Sequence, residues 1–252
     1  MSNRFSNKVA LVTGGSTGIG FAAAEAFLRE GAARVYITSR SQDTLAAAAA
    51  TLGAKAVPVR GDVASLEDLD RLKKQVESDG EKLDVIFANA GVAEYNAFGT
   101  TSEAEFDRII GINVKGVFFT VQTLLPVLRD GGAVVLTSSI VSAKGMPNLS
   151  LYNASKAAVR SFARTWANDL KERGIRVNAV SPGVTETPIF VNGLKLTQEQ
   201  QEGFAAYVKQ SAPLGRVAVP AEIASAVLFL ASDDASYITG VELSVDGGLA
   251  QV

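Results

Sequence analysis

The sequence predicts an α/β fold, in which a doubly wound sheet of seven parallel strands is flanked by helices. Short continuous apolar runs alternate with helical patterns along the chain, as in repeated βαβ units whose sheet is covered on both faces. With 252 residues, 47% of them hydrophobic, the chain is long enough to bury a sizeable core. No repeat of fixed period interrupts this order. We therefore predict one domain over residues 1–252.

Each element follows from a local pattern. The predicted strands are the apolar runs 8–13, Arg34–Thr38, Ala54–Arg60, Leu83–Ala88, Ala133–Ser138, Arg176–Val180 and Val241–Val245. Three helices are predicted from apolar residues at helical spacing, namely Ile19, Ala22, Ala23, Ala26 and Phe27, then Leu66, Leu69, Leu72 and Val76, then Val159, Phe162, Trp166 and Leu170, the last beginning near Tyr152.

One segment breaks the alternation. Residues 183–214 separate the sixth strand from the next helix, and a connection of that length is usually a functional lid or carries short helices of its own. We predict a substrate lid here. Its apolar residues would either close over an apolar substrate or pack the insertion onto the domain, and they include Ile189, Phe190, Leu194, Leu196, Phe204 and Tyr207.

Composition excludes several kinds of function. Lys plus Arg is 24 and Asp plus Glu is 26, so a net charge of −2 offers no basic field for nucleic acid or anionic lipid. The chain has no Cys and no His, which removes thiolate and imidazole catalysis and most transition-metal sites, and no metal site is predicted. No signal peptide or uninterrupted apolar run of membrane length is found, so we expect a soluble cytoplasmic protein with a small-molecule substrate.

A glycine-rich turn joins the first predicted strand to the first predicted helix. Gly14, Gly18 and Gly20 lie between the strand ending at Thr13 and the apolar helical stripe that includes Ile19. Such a turn lets the backbone approach a pyrophosphate closely, and the helix N-terminus offers free N–H groups and a positive dipole. The turn therefore predicts a dinucleotide-binding site.

Tyr152 and Lys156 are a candidate proton-transfer pair. At a spacing of four residues, they share one face of a helix. An ammonium group beside a phenol stabilises the phenolate and is expected to lower the pKa of Tyr152 toward the range of a general acid or base. Ser139 precedes the pair by thirteen residues, just past a predicted strand.

Together these motifs resemble the short-chain dehydrogenase/reductase family, whose members have a Rossmann fold. The resemblance covers essentially the whole chain and rests on motifs in this order: Thr13-Gly-x3-Gly18-Ile-Gly20, Asp62-Val63, Asn89-Ala90-Gly91, Asn113, Ser139, Tyr152-x3-Lys156, Pro182-Gly183-x3-Thr187 and Val245-Asp-Gly-Gly248. It implies an oxidoreductase that interconverts a ketone and a secondary alcohol by hydride transfer from a nicotinamide cofactor.

The resemblance also implies catalytic roles. Tyr152 would exchange a proton with the substrate oxygen, and Ser139 would hydrogen-bond that oxygen. Lys156 would lower the pKa of Tyr152 and bind the nicotinamide ribose. Asn113 would hold a water molecule that links Lys156 to solvent, although a capping or turn role also fits this residue.

Cofactor contacts are implied along the same line of motifs. Asp62, with Val63, would bind adenine, and Asn89, Ala90 and Gly91 would line the adenosine ribose. Pro182 and Gly183 would shape the wall beside the nicotinamide, while the Val184 backbone and the Thr187 hydroxyl would fix its carboxamide. Thr187 fits a helix N-cap equally well. The glycine loop would contribute Gly14, Ser16, Thr17, Gly18, Ile19 and Gly20.

The end of the second strand indicates which cofactor is used. A carboxylate there would accept bonds from the adenosine ribose and repel a 2′-phosphate, whereas a guanidinium would bind that phosphate. The chain has Ser39 and Arg40 at this point, which favours NADP(H) over NAD(H); the alternative role of Arg40 is to stack on adenine without discriminating between the two cofactors.

The substrate and the assembly are less defined. A mostly apolar substrate chamber is predicted from Ala93, Glu94, Tyr95, Ile140, Val141, Ser142, Met146, Asn148, Val184, Phe190 and Leu194. The alternatives are reduction of a 3-oxoacyl thioester on a carrier protein, docked by Arg129, Lys171 and Arg173, and a dinucleotide sensor without catalysis. The resemblance implies a homotetramer, and the stripe Ala157, Arg160, Ala163, Arg164 and Ala167 with the tail 247–252 is compatible with it.

Overall fold

A single seven-stranded sheet organises the molecule. The computed structural model describes residues 3–252. The strands are β1 (Val9–Thr13), β2 (Arg34–Ser39), β3 (Ala56–Arg60), β4 (Leu83–Ala88), β5 (Leu128–Thr137), β6 (Arg176–Pro182) and β7 (Glu242–Val245). Every neighbouring pair is parallel, in the order β3-β2-β1-β4-β5-β6-β7. The predicted strand number, direction and fold class are confirmed.

One strand boundary differs clearly from the prediction. β5 begins at Leu128 rather than Ala133, because the chain through Gly131 and Gly132 stays within the strand despite a sequence that is typical of a turn. The pairing of β4 with β5 shifts register between Leu83 and Val85, where this extra chain is accommodated.

Nine α-helices accompany the sheet in the part of the chain that the structure describes. They are α1 (Gly18–Arg29), α2 (Gln42–Leu52), α3 (Leu66–Ser78), α4 (Glu103–Ile110), α5 (Val117–Leu124), α6 (Ser150–Asp169), α7 (Ile189–Asn192), α8 (Gln198–Ser211) and α9 (Pro220–Ala231). The three helices predicted from apolar spacing correspond to α1, α3 and α6.

The sheet has a hydrophobic core on each face. Side chains alternate between faces along a strand, so that Ala10 and Val12 face α1, α2 and α9, while Val9 and Leu11 face α3, α5 and α6. Val9 through Thr13 are all buried, which explains why β1 is continuously apolar rather than alternating. The core thus fixes the strand ends from which the site is built.

Residues Glu103–Val127 form a 25-residue helical stretch that is apolar enough, by length and composition, to cross a membrane. In this structure Val117, Val121 and Leu124 of this stretch are buried in the core beside β4 and β5. The stretch is therefore a core element of the α/β domain.

The segment 183–214 is not a structureless loop. It contains α7 and α8, and Val208 of α8 is buried in a small apolar cluster with Ile140, Val141, Ala212 and Leu249. The segment therefore carries short helices of its own, which is one of the two structures predicted for a connection of this length. One of these helices, α8, packs onto the domain. Its action as a lid stays a prediction.

Candidate active site

The candidate active site is a cavity of about 500 Å³ along the carboxyl ends of the strands. It lies where the chain order reverses between β1 and β4, which is the crevice that binds ligands in open α/β sheets. The predicted site residues that line it are Gly14, Ser16, Thr17, Gly18, Ile19, Ser39, Arg40, Asp62, Val63, Asn89, Ala90, Gly91, Ala93, Glu94, Tyr95, Ser139, Ile140, Val141, Met146, Tyr152, Lys156, Pro182, Gly183, Val184, Thr187, Phe190 and Leu194. Gly20 and Asn113 do not line the cavity.

Gly20 instead packs beneath the glycine loop. A Cβ atom at this position would lie 2.1 Å from the carbonyl oxygen of Gly14, a distance that no side chain tolerates. Gly14 itself has a φ of +64°, in the left-handed region that favours glycine. The two residues therefore allow the loop to fold tightly against the start of α1.

Asn89 braces this loop rather than presenting its amide to a ligand. Its Nδ2 donates to the carbonyl oxygen of Thr13 at 3.1 Å, and its Oδ1 accepts from the Thr137 hydroxyl at 3.2 Å. The Thr13 hydroxyl accepts from the backbone N–H groups of Asn89 and Ala90. The Asn89 side chain thus belongs to a network that ties β1, β4 and β5 together, and the lining of the adenosine ribose by Asn89 stays a prediction. Thr13 and Thr137 are its unpredicted members.

The N-terminus of α1 opens into the cavity. Thr17 is the N-cap residue, and within residues 3–252 no side chain caps the helix and its first turn has no acidic residue. Gly18 and Ile19, the first two helical residues, line the cavity. Unpaired N–H groups and the positive end of the helix dipole suit an anionic group, so these residues fit the pyrophosphate of a dinucleotide.

Two arginines meet beyond the end of β2. Ser39 pairs in register with Arg60 of β3, and the Arg60 Nε donates to the carbonyl oxygen of Arg40 at 3.2 Å. Both arginines are exposed. Arg60 went unnoticed in the sequence because it is distant from Arg40 along the chain, and only the pairing of β2 with β3 makes them neighbours.

Asp62 lies at the same rim of the cavity. Its Oδ1 accepts from the N–H of Ala64 at 2.9 Å, and its own N–H donates to Asp68 at 2.7 Å. These bonds fix the turn that follows β3 and hold Asp62 and Val63 against the cavity.

Tyr152, Ser139 and Lys156 come together farther along the cavity. Ser139 follows β5, whereas Tyr152 and Lys156 project from the first turns of α6. The Lys156 side chain is 4% exposed, its Nζ donates to the carbonyl oxygen of Thr137 at 2.9 Å, and it lies 5.5 Å from the centre of the Tyr152 ring. The helix spacing predicted this proximity, and the end of β5 supplies the third group.

The pKa values differ from the prediction for one of these groups. Burial raises the pKa of Tyr152 above its ordinary 10.0, and the hydrogen bond with Ser139 only partly opposes this effect. Burial also lowers the pKa of Lys156 to about 8. The net pKa shift of Tyr152 is therefore opposite to the predicted direction, because desolvation dominates and the Lys156 ammonium donates to Thr137. Tyr152 is a protonated acid at neutral pH.

Asn113 is buried behind the cavity in a π-helical turn, Gly111–Gly116, that joins α4 to α5. Its Nδ2 donates to the carbonyl oxygen of Val92 and to the Ser155 hydroxyl, and its Oδ1 accepts from the Val92 N–H. Both amide protons are therefore used within the protein. Turns of this kind often occur at functional sites, and this one holds the loop after β4 against α6.

The wall after β6 is formed by Pro182 to Thr187. The carbonyl oxygen of Val184 accepts from the Ala218 N–H at 2.9 Å. Thr187 is not the N-cap of α7, because that position is occupied by Pro188. Of its two interpretations, the structure therefore excludes the cap, and Thr187 faces the cavity close to Gly18.

The far end of the cavity is apolar. In addition to the predicted residues, Leu149, Ile189 and Phe204 line it, while Ser142 and Asn148 do not. Phe204 of α8 packs edge-to-face on Phe190 of α7, with ring centres 5.9 Å apart. The carboxylate of Glu94 pairs with Arg108 of α4, so its charge is already balanced. Phe204 was predicted for the lid but not for the substrate site, because its position depends on the course of α8.

Two groups of surface residues were given roles from the sequence, one in carrier docking and one in assembly. Arg129 lies near the amino end of β5, and Arg173, which follows α6, pairs with Asp130 beside it. The basic residues proposed for carrier docking, Lys171 among them, thus lie toward the opposite end of the sheet from the cavity. In the stripe proposed for assembly, Ala163 is buried within its own chain and Arg160 pairs with Glu242, whereas Ala157 and Arg164 are exposed.

Comparison with known proteins agrees with this architecture. A family model described as enoyl-(acyl carrier protein) reductase matches residues 14–250. The oxidoreductase asL5 of Sarocladium schorii is 43% identical, covering 99% of this chain and 98% of its own. The 3-oxoacyl-[acyl-carrier-protein] reductase FabG of Thermotoga maritima is 38% identical, with coverage of 98% and 99%. Levodione reductase superposes with a TM-score of 0.90 at 32% identity and covers 98% of both chains.

The sheet order, the glycine turn and the identity of these relatives over their full length define the class. The chain belongs to the short-chain dehydrogenase/reductase family, and it is an oxidoreductase of that family.

Proposed function

We propose that this protein is an NADP(H)-dependent reductase that converts a ketone to a secondary alcohol, with Tyr152 as the general acid. The observation that carries the proposal is the placement of Tyr152, Ser139 and Lys156 between a dinucleotide cradle and an apolar chamber in one cavity. A sensor without catalysis would have no need of this group. The combination therefore favours an enzyme over the dinucleotide sensor.

The proton chemistry follows from the pKa values. When bound, the dinucleotide supplies the hydride that reaches the carbonyl carbon. Tyr152, protonated at neutral pH, donates its phenolic proton to the carbonyl oxygen, which becomes the hydroxyl of the product. Ser139 donates a hydrogen bond to the same oxygen and stabilises its developing negative charge.

Lys156 and Asn113 serve the return of the proton. The Lys156 ammonium, with a pKa of about 8, lies close enough to stabilise the transient phenolate of Tyr152. Asn113 contributes to a water relay through its main chain, since both of its amide protons are used elsewhere. Gly14, Gly18 and Ile19 would hold the pyrophosphate of the cofactor, and Asp62 and Val63 would hold its adenine.

Arg40 and Arg60 support the preference for NADP(H). Arg40 lines the adenosine end of the cavity and Arg60 is exposed beside it, an arrangement that suits a 2′-phosphate, and Ser39 occupies the position where a carboxylate would repel that phosphate. Arg60 supplies the second basic group that Ser16 and Thr17 of the glycine loop do not.

Reduction of a 3-oxoacyl thioester is the second candidate, because a relative with that name is 38% identical over nearly the whole chain. The residues that would receive a carrier protein lie away from the cavity mouth, which makes a free ketone the better candidate. The chamber also favours a neutral substrate, because it is lined mainly by apolar side chains and the charge of its carboxylate, Glu94, is balanced by Arg108.

The test is the initial rate with NADPH and, separately, NADH against aryl and alkyl ketones, sugars, steroids and an acetoacetyl thioester. Fast reduction of ketones with NADPH is the expected result. Turnover of the thioester alone would replace the proposal with the second candidate, and no turnover despite tight cofactor binding would favour a sensor. In Arg40→Asp the NADPH-to-NADH ratio of kcat/KM is expected to fall by about 100-fold, and an unchanged ratio would refute the cofactor preference.

We further propose a cytoplasmic homotetramer that binds neither nucleic acid nor membrane. The exposed positions of the α6 stripe, Ala157 and Arg164, leave part of that helix available to a partner subunit. Sedimentation at micromolar concentration is expected to give a tetramer, and a monomer would refute this assembly.

A further inference from the structure

Glu242, the first residue of β7, holds its carboxylate against three side chains beside the candidate active site. Its Oε1 accepts from the hydroxyls of Ser138 at 2.7 Å and Ser142 at 2.6 Å. Its Oε2 lies 3.1 Å from the Nε of Arg160, close enough for an ion pair but without the alignment of a hydrogen bond. The Glu242 side chain is only 14% exposed, so removal of these partners would leave a largely buried charge.

These partners lie on both sides of the proposed catalytic groups. Ser138 and Ser142 flank Ser139 in the loop and short 3₁₀ turn that follow β5. Arg160 lies one helical turn beyond Lys156 on α6, the helix that also carries Tyr152. One carboxylate therefore ties the segment around Ser139 to the helix that carries Tyr152 and Lys156.

The Ser139 side chain has few restraints of its own. Its hydroxyl accepts from the Val141 N–H at 3.5 Å, a long distance for a hydrogen bond, and it interacts with Tyr152. The position of Ser139 relative to Tyr152 thus depends on how its neighbours are held. Glu242 accepts a hydrogen bond from Ser138, which precedes Ser139, and another from Ser142, which follows it.

We infer that Glu242 is a positioning residue that fixes Ser139 against Tyr152. This inference rests on the proposed function, because it assumes that both hydroxyls contact the substrate oxygen. Glu242 itself does not line the cavity in which substrate and cofactor would bind. A substitution away from the reacting atoms that displaces a catalytic group by about 1 Å is enough to lower the rate by about 100-fold.

The first experiment compares Glu242→Ala and Glu242→Gln with the unaltered protein, using NADPH and the fastest ketone of the substrate panel. Glu242→Ala is expected to lower kcat by about 100-fold while the Kd for NADPH, measured by nicotinamide fluorescence, changes less than about threefold. Glu242→Gln retains an oxygen that accepts from both serines, so it should recover most of kcat. A fall in NADPH affinity equal to the fall in kcat would contradict the inference.

Asp79→Ala is the matched control. The Asp79 carboxylate also has three partners, because it accepts from the Tyr36 hydroxyl and from Gln75 and pairs with Arg34. It lies at the end of α3, away from the cavity. This variant is expected to lose stability with kcat nearly unchanged. Equal losses of kcat in Asp79→Ala and Glu242→Ala would mean that Glu242 is merely structural.

The second experiment introduces Glu242→Ala into a Ser139→Ala background. If Glu242 acts through Ser139, the substitution should cost less than about threefold once Ser139 is absent. The same 100-fold cost in both backgrounds would overturn the inference.

A crystallographic readout separates this inference from the proposed function. The separation of the Ser139 and Tyr152 hydroxyl oxygens is expected to increase by about 1 Å in Glu242→Ala crystals, whether or not any ketone is reduced. An unchanged separation would refute the positioning role, whereas a changed separation in a protein without ketone turnover would refute only the proposed reaction. Ser142→Ala, which removes one tie, should give a smaller change and serves if Glu242→Ala does not fold.

Discussion

The two halves of the cavity are built differently. The cofactor half is formed mainly by backbone atoms of the glycine turn and of the N-terminus of α1. Close contacts within the turn and the Thr13–Asn89 hydrogen-bond network hold these atoms in place. The substrate half is lined by apolar side chains from α7, α8 and the turn after β5. Positions at which backbone segments are in close contact accept only particular residues, whereas positions in an apolar wall accept many apolar side chains. The two halves should therefore respond differently to substitution.

The strongest contrast is between two glycines. In Gly20→Ala the new methyl group would collide with the Gly14 carbonyl oxygen at 2.1 Å, so we expect NADPH affinity to fall by at least about 100-fold and the free energy of unfolding by about 3 kcal/mol. In Gly203→Ala of α8, with open space at the Cβ, unfolding should cost up to about 1 kcal/mol more. Fluorescence titration and chemical denaturation measure both. Equal effects at the two sites would show that the halves do not differ.

Lys156 joins the two halves, and its burial makes stability depend on pH. Its folded pKa of about 8 lies below the ordinary 10.5, so the buried ammonium opposes folding below pH 8, and this penalty fades as pH rises from 8 to 10.5. Lys156→Met should therefore raise the free energy of unfolding at pH 7 by up to about 3 kcal/mol. The gain over the unaltered protein should disappear toward pH 10.5. Denaturation at several pH values measures it, and a gain that does not vary with pH would contradict this account.

The substrate half should show the smallest and most selective effect. Phe204→Ala removes the ring that packs on Phe190 at the apolar end, so we expect the KM for an aryl ketone to rise about tenfold with the Kd for NADPH unchanged. Phe106→Ala, which removes an exposed ring of α4 that does not line the cavity, is the matched control. A loss of NADPH affinity in Phe204→Ala would mean that α8 also shapes the cofactor half.

The sequence predicted the fold and most of the residues that line the proposed cofactor half, because both depend on local patterns. Backbone geometry requires glycine at Gly14, Gly18 and Gly20. Burial on both faces of the sheet requires the continuous apolar sequences of the strands. Tyr152 and Lys156 lie on one helix face, so their spacing alone placed them together. The beginning of β5 was missed because Gly131 and Gly132 are typical of a turn, although the strand passes through them.

The remainder depends on neighbours that are distant in the chain. Arg60 reaches Arg40 only through the pairing of β2 with β3, and Glu242 reaches Ser138 and Ser142 from the last strand. The pKa of Tyr152 was predicted in the wrong direction because burial, which no local pattern reports, outweighs the nearby lysine. These features could be identified only once the arrangement of the strands and helices was known.

The most direct test of the account is the turnover of Tyr152→Phe, measured with NADPH and the fastest ketone of the panel, alongside its Kd for NADPH. The substitution removes the phenolic proton and leaves the ring, so we predict a fall in kcat of at least about 1000-fold with cofactor affinity nearly unchanged. Turnover at the level of the unaltered protein would contradict the central claim that Tyr152 donates the proton.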